Sequence, residues 1–298
     1  MENAPIFDTH AHYDDPQFDP DREQLLRRLP DQGVVGVVSC GCDLPSSLQN
    51  QALSRQYPWF YFAAGFHPEN LEGADLEDIE RLRTLLADPK CVAVGEIGLD
   101  YHWMASDKDT QTAFFRRQIQ LAKEVDKPII VHDREAHGDT LELLQALQPK
   151  GVVHCFSGSK EMAKEIIKLG MYIGLNGVAT FKNARKALEV VETIPLERLV
   201  LETDCPYLAP EPCRGQRNNS ALIPTLPHAL GRCWGCLPRL CCAKRQRTPA
   251  HCTVCKSKQR ESHKTVAGLC GSRLCVGSPT YRLLIKSRTS SDPLCLSR

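Results

Sequence analysis

The stretch that decides the fold is Ile6-Phe7-Asp8-Thr9-His10-Ala11-His12, an apolar run that ends in two histidines. In a β-strand, side chains at positions i and i+2 point to the same face of the sheet. Both imidazoles can therefore reach one metal ion, although histidines with this spacing also occur as a solvated rim. The choice between a metal site and a rim depends on which residues end the other strands.

The chain has 298 residues, a length at which α/β barrels occur as a single domain. Its formal net charge of +1 hides two different parts. Residues 1–227 contain 23 Lys and Arg against 34 Asp and Glu, a net charge of −11, whereas residues 228–298 contain 14 against 2, a net charge of +12. We therefore predict an acidic barrel over residues 1–223 and a disordered, Cys- and Arg-rich tail over residues 224–298.

The cysteines divide in the same way, with six before residue 228 and nine in the last 71 residues. The first six stand singly among apolar residues, as reduced buried thiols of a cytosolic protein do. The N-terminus lacks the basic and apolar segments of a secretory signal, and no apolar run approaches the roughly 20 residues of a membrane span. We expect a soluble cytoplasmic protein.

Short apolar runs alternate with amphipathic segments along the acidic part. The predicted strands are Pro5–His10, Val34–Cys40, Phe60–Phe66, Cys91–Gly95, Pro128–His132, Gly151–His154, Tyr172–Leu175 and Leu199–Asp204. The predicted helices are Asp19–Leu29, Pro45–Arg55 with Asp43 as its cap, Leu76–Leu86, Thr112–Val125, Thr140–Leu147, Lys160–Leu169 and Ala184–Val191. This order predicts a closed (β/α)8 TIM barrel whose last helix is missing or replaced by an irregular tail, with an open doubly wound sheet as the alternative.

Side chains that can bind metals follow one predicted strand after another. They are His10, His12, His67, Glu96, His132, His154 and Asp204. In a barrel, the chemistry lies at the C-terminal ends of the strands, whereas an open sheet concentrates it at one switch point. The spread of these residues over many strands favours the barrel.

Most of these residues have an ordinary structural explanation when they are taken singly. His67 could be a turn histidine bound by backbone, His154 a hydrogen-bonded core histidine, and Asp204 a loop cap. Glu96 directly follows an apolar run, where a carboxylate is costly unless it is paired or bound to a cation. One site at the barrel mouth explains all of them, and four histidines with two carboxylates suit two divalent cations. The donor types do not distinguish Mg²⁺, Mn²⁺ and Zn²⁺.

Six segments together resemble the TatD family of metal-dependent deoxyribonucleases, which are amidohydrolase-like barrels. They are Asp8–His12, Gly65–Pro68, Gly95–Tyr101, His132–Ala136, His154–Gly158 and Glu202–Leu208. The resemblance runs from the first strand to about Ile223, or roughly three quarters of the chain. It implies a hydrolase that cleaves phosphodiester bonds of DNA with two divalent cations, and we expect a 3′–5′ exonuclease.

The resemblance also implies a role for each candidate residue. One cation is held by His10, His12, Glu96 and Asp204, and the other by Glu96, His132 and His154. Glu96 is then the bridge between the cations, and Asp204 orients or deprotonates the attacking water. Glu96 and Asp204 are therefore the predicted catalytic residues.

Candidate substrate contacts lie outside this ligand set. Arg214 and Asn218 match the family's loop after the last strand, where a guanidinium suits a phosphate, with a solvated basic loop as the alternative. His67 and Arg134 are further candidates, although Arg134 could equally form a salt bridge at its strand end. An acidic body lacks the broad basic face of a duplex binder. We therefore expect single-stranded DNA ends as the substrate.

The tail has two interpretations. Cys233-x-x-Cys236 and Cys252-x-x-Cys255 have the spacing of a zinc ribbon, which with a charge of +12 suits a nucleic-acid module. The tail lacks a ribbon's alternating strands, and its dense Cys, Arg and Pro favour a displaced reading frame of GC-rich coding sequence. Two other functions stay open: a barrel hydrolase acting on an ester or amide, and a non-catalytic nucleic-acid binder that uses the basic tail.

Overall fold

The computed structural model of the chain describes residues 5–226. Within them, eight parallel strands form one sheet whose neighbours follow chain order. The strands are β1 Ile6–Ala11, β2 Val34–Cys40, β3 Phe60–Ala64, β4 Cys91–Asp100, β5 Ile129–Arg134, β6 Gly151–Val153, β7 Tyr172–Leu175 and β8 Leu199–Leu201. The α-helices of the same residues are α1 Arg22–Arg28, α2 Leu44–Gln56, α3 Asp78–Leu86, α4 Lys108–Glu124, α5 His137–Leu147, α6 Lys160–Lys168 and α7 Arg185–Thr193.

One helix separates each pair of successive strands, as a parallel sheet requires. A parallel bridge between Ala11 and Cys205 joins the end of β1 to the segment that follows β8, so the sheet returns to its first strand. The predicted (β/α)8 TIM barrel is therefore confirmed, and the open doubly wound sheet is rejected.

The described chain divides into two compact units. The first unit comprises residues 5–35 and 153–226, and its buried core includes Phe18, Leu26 and Ile173. The second unit comprises residues 36–152, and its buried core includes Phe62 and Ile97. Each unit thus has an apolar core of its own, which fixes the strands that carry its polar residues.

The predicted cap of α2 is confirmed. The Asp43 carboxylate accepts a hydrogen bond from the Ser46 backbone N–H at 2.8 Å, and the Ser46 hydroxyl accepts one from the Asp43 backbone N–H at 3.0 Å. This reciprocal pair satisfies two backbone donors that the first turn of a helix otherwise leaves unpaired.

Replacing Asp43 with alanine is expected to lower the free energy of unfolding by about 1 kcal/mol, because an N-cap side chain contributes about that much. Urea unfolding of the full chain measures the change. The matched control is Glu192→Ala, which removes an exposed carboxylate from α7 without removing a cap. A change no larger in Asp43→Ala than in the control would contradict the assigned cap.

Several strand ends differ from the prediction, and the largest differences are in β4 and β8. β4 continues five residues past Gly95 to Asp100, because its pairing with β5 extends through Ile97 and Leu99. Glu96 is therefore inside a strand and 2% exposed, not at the strand's end. β8 instead ends at Leu201, so Asp204 lies in the loop beyond it.

The predicted tail falls almost entirely outside the described residues. The last described element is a 3₁₀ turn over Ser220–Leu222, and Leu226 is buried. The predicted loss of the last helix, the zinc-ribbon cysteines and the displaced reading frame all concern residues beyond 226. Within residues 5–226, no helix has both the length and the hydrophobicity to span a bilayer.

Candidate metal centre

Four predicted ligands lie together in the first unit, and we call them the His10 cluster: His10, His12, His154 and Asp204. His10 is on β1 and His12 directly follows it, so their side chains share a face. Their Nε2 atoms are 3.0 Å apart, and each lies 3.4 Å from Asp204 Oδ1. The His154 ring stacks on the His10 ring with centroids 3.9 Å apart. The spacing argument from Ile6–His12 is therefore confirmed in its geometry.

Asp204 reaches the two histidines through an unusual backbone conformation. Its φ is +58°, a left-handed conformation that costs a non-glycine residue roughly 1–2 kcal/mol. Its backbone N–H donates to the His10 carbonyl at 2.9 Å, which holds this conformation. Burial alone would raise the pKa of Asp204, but hydrogen bonds from His10 and His12 outweigh it and hold the pKa well below its usual range. Asp204 is thus kept ionised beside two imidazoles.

A buried hydrogen-bond network fixes the backbone beneath this cluster. Asp8 is fully buried, and its carboxylate accepts hydrogen bonds from the Thr203 and Ser220 hydroxyls, each at 2.6 Å. Tyr13 contacts the Ser220 hydroxyl at 2.7 Å. Burial raises the pKa of Asp8 to about 6, against the lowering effect of the Ser220 and Thr203 hydrogen bonds. The network ties β1 to the loop of Asp204 and to the segment around Ser220.

The remaining predicted metal ligands, Glu96 and His132, lie in the second unit with His67, a predicted substrate contact, and we call these three residues the Glu96 cluster. Glu96 Oε1 is 2.9 Å from His132 Nδ1 and 3.5 Å from His67 Nε2. The two imidazole rings meet edge to face with centroids 4.4 Å apart. His67 Nδ1 accepts the Glu69 backbone N–H at 3.2 Å, as a turn histidine does, while its Nε2 faces Glu96. His67 is therefore a turn histidine whose other ring nitrogen faces the Glu96 cluster, and its contact with substrate stays a prediction.

Asp100 stands behind His132 in the second unit. Its Oδ2 lies 3.0 Å from His132 Nε2, on the side of the ring opposite Glu96. Burial alone would lower the pKa of His132, but hydrogen bonds with Asp100 and Glu96 raise it to about 9. Burial works in the other direction on Asp100, where the hydrogen bond from His132 prevails and lowers the pKa. Histidines that bind metals are commonly oriented by a carboxylate in this way.

Close packing of β4 on β5 makes this arrangement possible. Gly98 pairs with His132 across the two strands and has a φ of +154°. A Cβ atom at Gly98 would lie 1.9 Å from the His132 carbonyl oxygen, so no other residue fits without displacing β5. The glycine thus sets the distance at which Glu96 and Asp100 meet His132.

Both clusters fit divalent cations by their donor spacing. Two ligands each about 2.1 Å from one ion are about 3.0 Å apart in an octahedron and about 3.4 Å apart in a tetrahedron. In the first cluster, the donor atoms of His10, His12 and Asp204 are 3.0–3.4 Å apart. In the second cluster, Glu96 Oε1 is 2.9 Å from His132 Nδ1 and 3.5 Å from His67 Nε2. Imidazole nitrogens and carboxylate oxygens are also the atoms that such ions bind.

The predicted substrate residues have different surroundings. Arg134 lies over the Trp103 ring, 5.3 Å from its centroid, and within residues 5–226 no carboxylate forms a salt bridge with it. Arg214 is exposed and lies 4.3 Å from the centroid of Phe181. Asn218 is fully buried, and its Nδ2 donates to the carbonyls of Thr203 and Tyr207. Asn218 therefore holds the loop, and its contact with substrate stays a prediction.

Sequence reasoning missed three carboxylates that support the ligands, although all three lie in the quoted segments. Asp100 orients His132, and Asp8 anchors β1. Glu202 is fully buried, accepts the Cys155 backbone N–H at 2.5 Å and lies 3.7 Å from His154 Nδ1. A carboxylate within a strongly apolar stretch was the available signal, since burial without a partner is costly.

Comparisons with known proteins show which proteins this chain resembles. The family model described as TatD related DNase matches residues 7–236. "Uncharacterized metal-dependent hydrolase YabD" of Bacillus subtilis is 43% identical over 221 residues, which cover 73% of this chain and 87% of that protein. "3'-5' ssDNA/RNA exonuclease TatD" of Klebsiella pneumoniae is 35% identical over 227 residues, which cover 74% of this chain and 86% of that protein.

A solved structure is similar over the same region. The TatD homolog YJJV from Escherichia coli superposes with a TM-score of 0.71 at 34% identity. The match covers 76% of this chain and 90% of that chain. This chain therefore shares its fold with that structure over most of the length of both chains.

Proposed function

Because this chain belongs to the TatD-related DNases, a family of metal-dependent hydrolases, we propose that it cleaves phosphodiester bonds of DNA with two divalent cations. We further propose that it is a 3′–5′ exonuclease acting on single-stranded ends, since three of its relatives are named as 3′–5′ ssDNA/RNA exonucleases. The catalytic part is proposed to be residues 1–223, with residues 224–298 as an appended tail in a cytoplasmic protein.

One observation carries this proposal: each unit brings imidazole nitrogens and a carboxylate oxygen to ligand spacing. In the first unit, His10, His12 and Asp204 would hold one cation, with His154 beside them. In the second unit, Glu96 and His132 would hold another, with His67 against the same carboxylate oxygen. That Glu96 also serves the first cation and that His154 serves the second, as the family resemblance implies, both stay predictions. Such cations supply charge stabilisation and lower the pKa of a bound water.

Asp204 is the proposed general base. Hydrogen bonds with His10 and His12 lower its pKa and keep its carboxylate ionised, which lets it orient the attacking water; a lowered pKa by itself makes a carboxylate a weaker base. Its left-handed backbone and the His10 carbonyl fix where those oxygens point. A base that is held in place in this way contributes typically about 10²–10⁴-fold to a rate.

Asp100 is a proposed positioning residue for the second cluster. Its carboxylate accepts the Nε2 hydrogen of His132, so that Nδ1, on the side of Glu96, is the nitrogen that would bind a cation. The substrate is proposed to meet Arg134, Arg214 and His67. The charge of −11 over residues 1–227 supports a narrow contact with a strand end over a broad contact with a duplex.

The direct test uses the full chain and a 20-nucleotide single strand carrying a label at its 5′ end. We expect a ladder of products shortened one nucleotide at a time, slower cleavage of blunt duplex, and no cleavage in excess chelator. A matched strand labelled at its 3′ end establishes the polarity. A 3′–5′ exonuclease releases that label in its first step. Turnover of p-nitrophenyl esters with an intact DNA strand would instead support the ester or amide hydrolase. Strand binding by residues 228–298 without cleavage would support the non-catalytic binder.

A further inference from the structure

The loop that follows β4 presents an aromatic side chain to solvent. Trp103 is 60% exposed, the largest exposed fraction among the big apolar side chains of residues 5–226, and the adjacent Met104 is 43% exposed. An exposed indole offers another molecule a large, rigid apolar face with a polar N–H at its edge. Trp103 and the residues around it all lie in the second unit.

This exposed indole is held in place by its backbone. Asp100 Oδ1 accepts the backbone N–H groups of His102 and Trp103, both at 2.8 Å. The His102 ring lies edge on against Trp103 with centroids 4.8 Å apart, and His102 Nδ1 is 2.9 Å from Glu135 Oε1. The backbone and the ring of Trp103 are therefore held in place, so that little conformational entropy is lost when a partner binds.

The Asp100 carboxylate also connects the Trp103 backbone to the Glu96 cluster. While Asp100 Oδ1 holds the Trp103 backbone, its Oδ2 contacts His132 Nε2 at 3.0 Å. One side chain thus fixes both a proposed metal ligand and the aromatic residue. A molecule lying on Trp103 is consequently placed at a set distance from the proposed reaction centre.

The charges around Trp103 favour a partner that carries phosphate. Arg134 lies 5.3 Å from the ring centroid and has no salt bridge with any carboxylate between residues 5 and 226. Two neighbouring acids are engaged elsewhere, Glu135 with His102 and Asp139 with the Tyr101 hydroxyl at 2.6 Å, while Glu69 interacts with Arg134 through its charge. The guanidinium therefore keeps hydrogen-bond donors that match phosphate oxygens.

We propose that Trp103 is a stacking platform for an unpaired nucleobase of the single-stranded substrate, with Arg134 on the neighbouring phosphate. This inference rests on the proposed nuclease function and adds a subsite to it. An indole stacks on any base, so the platform binds strands without regard to sequence. It also explains how an acidic body holds a polyanion, since stacking contributes about 5- to 150-fold in affinity per base without needing a basic surface.

The test measures binding of two phosphorothioate strands, which resist hydrolysis, to the metal-loaded full chain by fluorescence anisotropy. One strand carries all its bases, and the other has abasic sites at its three 3′-terminal positions. We expect the wild type to bind the first at least tenfold more tightly. Trp103→Ala is expected to reduce this ratio to near one, whereas Trp103→Phe retains most of it.

The matched control is Trp59→Ala, since Trp59 precedes β3, is partly exposed, and contacts Tyr57 with ring centroids 5.6 Å apart. It is expected to keep the wild-type ratio. Equal binding of both strands by the wild type, or an unchanged ratio in Trp103→Ala, would overturn the platform. The platform would likewise be overturned if Trp103→Ala abolished self-association of the protein and left the binding ratio unchanged. Trp103 would then be a protein–protein contact. Failure of the nuclease proposal is detected separately, by an ordinary strand that the same preparation does not cleave.

Discussion

Replacing Asp204 with asparagine is expected to lower kcat/KM for single-stranded DNA about a thousandfold, within the range for loss of a general base. The amide has nearly the shape of the carboxylate but no negative charge. It cannot accept the proton of the attacking water. It would also bind a cation more weakly beside His10 and His12, whose Nε2 atoms lie 3.4 Å from Asp204 Oδ1. Steady-state hydrolysis of a labelled strand at saturating metal measures the effect.

The matched control for this change is Glu211→Gln, which neutralises an exposed carboxylate seven positions along in the same part of the chain. It is expected to keep wild-type kcat/KM. Thermal unfolding of both variants separates a loss of chemistry from a loss of fold. If a folded Asp204→Asn variant works within tenfold of the wild type, Asp204 is not the base.

Replacing Glu96 with glutamine is expected to remove cation from the protein and to abolish measurable hydrolysis. The Glu96 side chain is 3% exposed, and its Oε1 is the carboxylate oxygen that both His132 and His67 approach. A neutral amide binds hard divalent cations weakly, because its oxygen carries no full negative charge. Metal content after dialysis and hydrolysis rate should therefore fall together.

Glu72→Gln is the control for this second change, because Glu72 is an exposed carboxylate of the same unit and lies outside the cluster. Its metal content and rate should equal those of the wild type. A Glu96→Gln protein that keeps its full metal content would show that Glu96 is not a ligand. Full metal content together with lost turnover would restrict Glu96 to a role in the chemistry.

Much of the fold was predictable because local signals agreed with tertiary packing. Val34–Cys40 and Tyr172–Leu175 have the predicted bounds, since each apolar run is bounded by turn residues. The other elements were predicted to within a few residues. α4 begins at Lys108, four residues before the predicted Thr112, because Asp107 caps it through the Thr110 backbone N–H at 2.9 Å.

The end of β4 could not be predicted because pairing with β5 decides it. A glutamate and two glycines after Val94 indicate the end of a strand on propensity, yet the partner strand continues the ladder to Asp100. Gly98 belongs there for its close approach to the His132 carbonyl, which no local pattern reveals. Tertiary contacts thus overrode the local signal at the position that carries Glu96.

The candidate ligands were easier to predict than the residues behind them. Each ligand stands next to an apolar run, where its polarity is conspicuous in the sequence. Asp100 was visible in the same segment, but its two roles depend on where the His132 ring and the Trp103 backbone lie. Asn218 shows the same limit, since the sequence does not reveal that its Nδ2 donates to the Thr203 and Tyr207 carbonyls, and its contact with substrate stays a prediction.

The most direct test of the central claim is metal analysis coupled to turnover in one preparation of the full chain. The protein is stripped with chelator, then titrated with Mn²⁺ or Zn²⁺ while bound metal and hydrolysis of a single strand are measured at each point. We predict that about two equivalents bind per chain and that activity appears as they bind. Stripped protein with less than about a tenth of an equivalent that hydrolyses DNA at the full rate would contradict the account.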